Sequence, residues 1–286
     1  MLRIIHKAET PSLSTNHKCF SCISKIIRLA NRHTGARFVL DMKKTVKADG
    51  NLVSMYSALN FNLNKSENIL SIFPRKACSL KVKTHQDMFG YFSTWEEELE
   101  NTFQSGGTKV FAFDPFEYEK FNDYLFYDAF RQDWKRKLPY HYKTDIKEFL
   151  RKLFRNASEH SNTKSPIFIS SAYDGEMLKF TMIDCGEGFF NVFRKVDNEV
   201  LNESEAVCLA LNGLGVKNGA TSGSLKLLGD YCIENSGELF VVSGGASVLY
   251  KKDGFHQSGW LPGAFRGSII NLSVRIVLPE FLLEAA

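Results

Sequence analysis

Two stretches of the chain carry residues whose types and spacing suit chemistry. In the segment Thr144–His160, Ile146, Phe149, Leu150, Leu153, Phe154 and Ala157 recur at three- and four-residue steps, so a helix there has one apolar face. Lys152, Asn156 and Glu159 fall along the edge of that face. A polar side chain so placed looks into a cleft while the apolar face anchors the helix, which is the geometry a metal or phosphate ligand needs. The second stretch is Asp184-Cys185-Gly186-Glu187-Gly188, at the end of a strand read over Met177–Asp184. Its carboxylate is an acceptor and its glycines allow a sharp turn. Each pattern alone is weak, because Asp-Gly turns and polar helix edges are common.

The elements that must position these residues can be read around them. A hairpin of Pro166–Ser171, a turn at Asp174-Gly175 and Met177–Asp184 separates the helix from the Asp-x-Gly-x-Gly phrase. A glycine-bearing stretch, Asn212–Gly223, leads into a helix carrying Leu225, Leu227, Leu228, Tyr231 and Cys232, and the amides at such a helix start suit an anion. Glu238–Ser243 and Ser247–Tyr250 read as paired strands, and Gly267-Ser268 opens a strand Ile269–Leu278. Upstream, Lys109–Phe113 reads as a strand and Pro115–Arg136 as an aromatic-rich helix whose Phe121, Tyr124, Leu125 and Phe130 suit a core or dimer contact. The polar run ending in Ser105-Gly106-Gly107 marks a domain boundary. Before it, a helix Cys22–Arg32, a strand Arg37–Met42, a helix Leu52–Leu63 and a strand Ile69–Phe73 give an α/β pattern.

Composition bounds the classes. A chain of 286 residues favours two domains, and 44% apolar with 24% charged residues is ordinary for a folded protein. The net charge of +4 is small, and the cluster Lys135-Arg136-Lys137 reads as a solvated face, so nucleic acid is not an expected partner. No apolar run approaches the roughly 18 to 20 residues of a membrane span, and MLRIIHKAET lacks the apolar core of a leader, so a cytoplasmic protein with no membrane contact is expected. Six cysteines in this length are not a disulfide scaffold, and Cys185, Cys208 and Cys232 lie among apolar residues. Cys19-x-x-Cys22 with His17 suits zinc or a redox pair in type. No second Cys-x-x-Cys or His-x-x-x-His completes four ligands, so the preferred reading is two thiols at the start of the amphipathic segment Ile23–Ala30.

The phrase Leu153-Phe154-Arg155-Asn156-Ala157-Ser158-Glu159-His160-Ser161 resembles the N-box of the GHKL ATP-binding domains shared by histidine kinases, gyrase, Hsp90 and MutL. The Asp184 phrase, 28 residues after Asn156, resembles their first glycine box, and Asn212–Gly223 their lid and second glycine box. The resemblance covers about Lys109–Pro279. It implies ATP and Mg²⁺ as cofactors, with Asn156 as the metal ligand, since Mg²⁺ takes hard oxygen donors and keeps several waters. It further implies that Asp184 accepts from the adenine amino group, that Gly186 and Gly188 let the backbone approach the base, and that Lys217, Gly219, Ser222, Gly223, Ser224 and Leu225 surround the phosphates. Relatives read Gly-x-Gly-Leu where this chain has Ser222-Gly223-Ser224-Leu225. Ser268 stands where they have threonine and keeps the hydroxyl for Asp184. Residues Gly35–Phe73 resemble a STAS domain, with Lys47-Ala48-Asp49-Gly50 at the turn where phosphorylatable members carry serine; Asp49 there suits a helix cap, and Ser54 and Ser57 follow on the helix. The expected fold class is therefore α/β, with a STAS-like α/β domain over residues 1–104 and a two-layer GHKL (Bergerat) sandwich over 109–286.

Hydrolysing members carry glutamate four residues before the N-box asparagine, and this chain has Lys152. A protonated lysine cannot accept a proton. Glu148 and Glu159 are the carboxylates that could replace it. The expected function is a Mg·ATP-binding regulator with slow or absent hydrolysis, its nucleotide state gating a protein partner or a homodimer. An active ATPase or an anti-sigma-factor-like serine kinase, and a nucleotide-free scaffold, are the alternatives. A histidine autokinase is not expected, because no phosphoacceptor helical hairpin precedes the module and His160 belongs to the N-box.

Overall fold

The computed structural model describes residues 4–9, 12–41, 47–73, 110–130, 138–173, 176–195, 199–200, 202–214 and 223–277. The expected boundary at Ser105–Gly107, the Asp174-Gly175 turn and the Lys135–Lys137 cluster lie outside them.

The chain opens with strands β1 (Ile4–Glu9) and β2 (Ser12–Leu13). Helix α1 spans His17–Ala30. It starts five residues before the expected Cys22, because Asn16 takes the cap position and its side chain accepts from the Cys19 amide at 3.0 Å. Strand β3 (Arg37–Asp41), the short β4 (Lys47–Ala48), a 3₁₀ turn at Gly50–Leu52, helix α2 (Val53–Asn64) and strand β5 (Ile69–Phe73) follow. β1, β3 and β5 form a three-stranded parallel sheet in that order.

The second half contributes β6 (Val110–Phe113), α3 (Tyr118–Asp123) and a π-turn at Tyr124–Asp128. The aromatic-rich helix expected to run on to Arg136 thus changes pitch at Tyr124, and Phe121, Tyr124, Leu125 and Phe130 are core residues. Helix α4 runs Tyr140–His160, starting directly after Pro139. Then come β7 (Ile167–Tyr173), β8 (Met177–Asp184), α5 (Gly188–Arg194), α6 (Glu203–Leu211), α7 (Ser224–Glu234), β9 (Glu238–Lys251) and β10 (Gly254–Arg275). The fold is mixed α/β, and the five strands β6-β7-β8-β10-β9 pair antiparallel throughout.

One expected pairing is corrected. Glu238–Ser243 and Ser247–Tyr250 belong to the single strand β9, and both pair with β10, which begins at Gly254 and not at Gly267. Gly244 and Gly245, between the two expected strands, lie beside an irregularity in register, and Gly244 adopts φ +59°.

Both faces of the five-stranded sheet are apolar. Alternate residues such as Ile167, Ile169, Phe180, Met182, Val241 and Ile270 meet α3, α4, α6 and α7, with Phe121 and Phe154 stacked at 4.1 Å. The intervening Phe168, Ile183, Phe240, Val242 and Ile269 meet α1 and α2 in a second core that joins both halves of the chain. α2 is buried on nearly all sides because it lies between the two sheets, and Ser54 and Ser57 are buried with it.

The centre of that second interface is polar. Asn51 donates to the Thr181 hydroxyl at 2.8 Å, Thr181 donates to Asn271 at 2.7 Å, and Ser170 donates to the Asn51 carbonyl at 2.5 Å. Asp49 does not cap the following helix, as the sequence suggested; its side chain makes no capping bond. It accepts instead from the Thr15 amide at 3.0 Å and pairs with Lys179 of β8 at 3.2 Å, with side-chain exposures of only 7% and 15%. Removing one partner of a pair this buried strands the other charge. Lys179→Met is therefore expected to lower the urea unfolding free energy by about 3 kcal/mol, and adding Asp49→Asn to recover most of it. A loss no larger than that of an exposed lysine would show that the Thr15 amide and the other contacts of Asp49, and not Lys179, compensate its charge.

Candidate functional site

Strand alternation sends Asp184 to the same face as Phe180 and Met182, under the end of α4, and Cys185 to the opposite face. Asp184 is 4% exposed. The antiparallel register sets Ser268 directly across from it, and the Ser268 hydroxyl donates to one carboxylate oxygen while the Gly186 amide donates to the other at 2.9 Å. The Ser161 hydroxyl and the Ser268 amide also bear on the carboxylate. Burial pushes its pKa above the ordinary value despite these bonds, which oppose the shift.

The loop after Asp184 is fixed by close backbone contacts. A methyl group at Gly186 would fall 2.0 Å from the Ser161 carbonyl oxygen, and one at Gly267, where φ is +92°, would fall 2.1 Å from the Asp184 carbonyl oxygen. These positions must be glycine for the chain to pack on itself. Glu187 donates its amide to Ser161 at 2.8 Å, which ties the loop to the end of α4. Gly188, at φ +76°, opens α5, and Phe189 donates its amide to Ser243 at 2.9 Å.

Asn156 lies on α4 about one turn before Ser161 and donates to the Ser224 hydroxyl at 2.7 Å. Ser224 is the first residue of α7, and Gly223 before it takes the left-handed conformation at φ +51° with open space where a side chain would stand. Leu225 turns into the core, so only its main chain is available to a ligand. Lys217, Gly219 and Ser222 lie outside the described residues. Lys226, on the first turn of α7, pairs with Asp230 at 2.6 Å.

The carboxylates nearest Lys152 are engaged by cations of their own helix. Glu148 stands 3.6 Å from both Lys152 and Arg151, and Glu159 stands 2.7 Å from Arg155. Cys19 is buried with its thiol pKa pushed up by desolvation, and His17 bonds through Nδ1 to Ser247 at 2.9 Å. Among the described residues no group of three or more His, Cys, Asp or Glu side chains could hold a metal ion, and no helix is long and apolar enough to cross a membrane.

The structure thus brings Asp184, Gly186, Gly188 and Ser268 together and joins Asn156 to Ser224. The sequence reading missed Ser161, Ser243 and Gly267 as supports of the loop. Ser161 carried a signal, since it directly follows the last residue of the expected helix. Comparison of the chain with models of protein families and with curated proteins finds no match.

The buried carboxyl has a pH signature. Its folded pKa is raised, so the folded state holds the proton to higher pH than the unfolded chain, and stability falls as pH rises from the ordinary Asp value through the raised one. Ser268→Ala removes a donor to the ionised form and lifts the carboxyl further. The expected cost is about 1.5 to 3 kcal/mol above that window, fading as pH falls through the folded pKa. Urea unfolding of both proteins across the acid to neutral range checks this, and a cost independent of pH would remove Asp184 as its origin.

Proposed function

We propose that the chain binds Mg·ATP between the Asp184 loop, Asn156 and the start of α7, in the manner of the GHKL proteins its motifs resemble, and that nucleotide occupancy gates contact with a protein partner or a second copy of the chain. The observation that carries the reading is the pairing of Asp184 with Ser268 across the β8–β10 register, on a loop bonded to the helix that bears Asn156. In this reading Asp184 accepts from the adenine amino group. Asn156 presents its amide oxygen to the metal because its NH₂ is occupied by Ser224. The open space at Gly223 and the amides at the start of α7 suit phosphate oxygens. Bound Mg²⁺ would neutralise charge on those oxygens.

Slow or absent hydrolysis follows from the helix edge. Lys152 occupies the position of the usual base, and Glu148 and Glu159 are paired with cations one turn away. None of the three is poised to take a proton from water.

Calorimetric titration with ATP tests the binding. Asp184→Asn is expected to weaken it about tenfold to a hundredfold, the equivalent of about 1.5 to 3 kcal/mol. Asn156→Ala should diminish the Mg²⁺-dependent part of the affinity more than the rest. Unchanged affinity in the first variant, or equal shifts with and without Mg²⁺ in the second, would remove the reading.

Turnover is a separate test. At saturating Mg·ATP the unmodified chain should hydrolyse slowly, and Lys152→Glu should raise the rate, since a positioned base contributes about 10² to 10⁴. The new carboxylate stands beside Glu148, so Glu148→Gln in the same chain relieves the repulsion and is the informative background. Brisk hydrolysis by the unmodified chain, abolished by Glu159→Gln or Glu148→Gln, would overturn the regulator reading in favour of an active ATPase.

A further inference from the structure

On the reverse side of the Asp184 loop, a cleft of about 350 Å³ opens between the C-terminal ends of α1 and α2 and the segment Ala264–Arg266 of β10. That volume falls within the range of small-molecule sites. Ile27, Leu59, Leu63 and Phe265 supply its apolar wall, Asn31, Asn62, Ser66 and Asn68 line it with neutral polar groups, Lys65 and Arg266 supply two positive charges, and among the described residues no carboxylate lines it. Lys65 donates to the Ser165 hydroxyl at 2.6 Å and lies 4.8 Å from the Phe61 ring centre. Burial pushes the nearby Cys185 thiol up to about 12; the Asn62 side chain draws it back, the Asp184 carboxylate pushes it further up, and Lys65 and Arg266 draw it back. Lys65 and Arg266 thus put two like charges on the lining of one cleft.

The carbonyl ends of two helices would ordinarily repel an anion here. They are engaged within the chain: Asn68 donates its side-chain NH₂ to the Ala30 and His33 carbonyls and its main-chain amide to Leu63. What faces the cleft is thus an apolar wall beside neutral polar and cationic side chains. An Arg fork binds a carboxylate through two parallel bonds, while a bare phosphate would gain nothing from the wall that offsets its dehydration.

We propose that this cleft is a binding site for a small organic carboxylate with an apolar body. Arg266 is two residues before Ser268, so the cleft and the Asp184 carboxylate share one segment of β10.

The test uses the full chain without nucleotide, so its outcome is independent of the ATP reading. Benzoate, 2-naphthoate and decanoate, the corresponding neutral amides, and sodium phosphate are titrated by calorimetry. At least one carboxylate should bind saturably at one site, and its amide about tenfold or more weaker. Arg266→Gln and Lys65→Gln, at exposed positions, should each weaken the carboxylate by about tenfold with unfolding unchanged. Ala264→Trp, which fills the cleft from an exposed position, should abolish binding. No saturable binding, equal binding of acid and amide, affinity unchanged in both charge variants, retention of binding in Ala264→Trp, or binding of phosphate with the same dependence on Arg266 and Lys65 would each overturn the proposal.

Discussion

An antiparallel sheet usually keeps one polar face for water, and then its strands alternate apolar and polar residues. β7, β8, β9 and β10 instead contain runs such as Ile167-Phe168-Ile169, Met182-Ile183 and Leu239-Phe240-Val241-Val242, buried on both sides. Such a sheet must be covered twice. α3, α4, α6 and α7 cover the face that carries Asp184, and α1 and α2 cover the other. Uncovering Phe168, Ile183, Phe240, Val242 and Ile269 would cost about 1.5 to 3 kcal/mol for each side chain. The N-terminal half is therefore part of the core on which the Asp184 strand rests. Gly263 records how closely it packs, since a methyl group there would lie 2.2 Å from the Ser24 carbonyl oxygen of α1.

Apolar area alone would hold these layers together in several registers. The Asn51–Thr181–Asn271 chain of hydrogen bonds and the Asp49–Lys179 pair are directional, and both bring residues of the 3₁₀ turn region onto β8 and β10. Sliding the layer would strand several buried polar groups at once, at a cost of about 1 to 3 kcal/mol each. The arrangement carries its own penalty: the Asn51 side-chain oxygen is buried and finds no hydrogen-bond partner among the described residues. A network that tolerates one unsatisfied atom for the sake of fixing position makes the height of β8, and so of Asp184 at its end, depend on residues from the other half of the chain.

Local chemistry was legible in the sequence and long-range chemistry was not. The three- and four-residue spacing of Ile146, Leu150, Leu153 and Phe154 located α4, and the alternation before Asp184 located β8, because both patterns are written in consecutive residues. Asp49 was misread as a cap because Lys179, its partner, is 130 positions away. Glu238–Ser243 and Ser247–Tyr250 were read as two paired strands because the stretch between them contains glycines, and a left-handed glycine such as Gly244 serves a turn and a bulge equally; only the pairing partner distinguishes them. Helix α6 passed unnoticed for a related reason. Its N-cap, Asn202, accepts from the Glu205 amide as a cap should, but its burial depends on packing against α5 and β9 and leaves no clear periodic face. The reverse-side cleft had no sequence signal, since its walls come from α1, α2 and β10.

α4 is the element that joins the candidate site to itself. Asn156 ties it to the first residue of α7, and Ser161, at its C-terminal end, ties it to the Asp184 loop through the Glu187 amide. Ile146, Leu150, Leu153 and Phe154 anchor the same helix in the core, so these two ties are carried on a rod that cannot bend or rotate without opening packed volume. A nucleotide bound as proposed would touch Asp184 at one tie and Asn156 at the other. Because the rod is stiff, the response to a nucleotide bound as proposed would fall on the start of α7. The part-buried Asn156–Ser224 bond is the link in that chain of contacts, since a metal claiming the Asn156 oxygen would leave its NH₂ to hold Ser224 in place. In the proposed reading, the ligand signal and the position of α7 would both depend on one amide group, and such a site would act as a switch without needing a base.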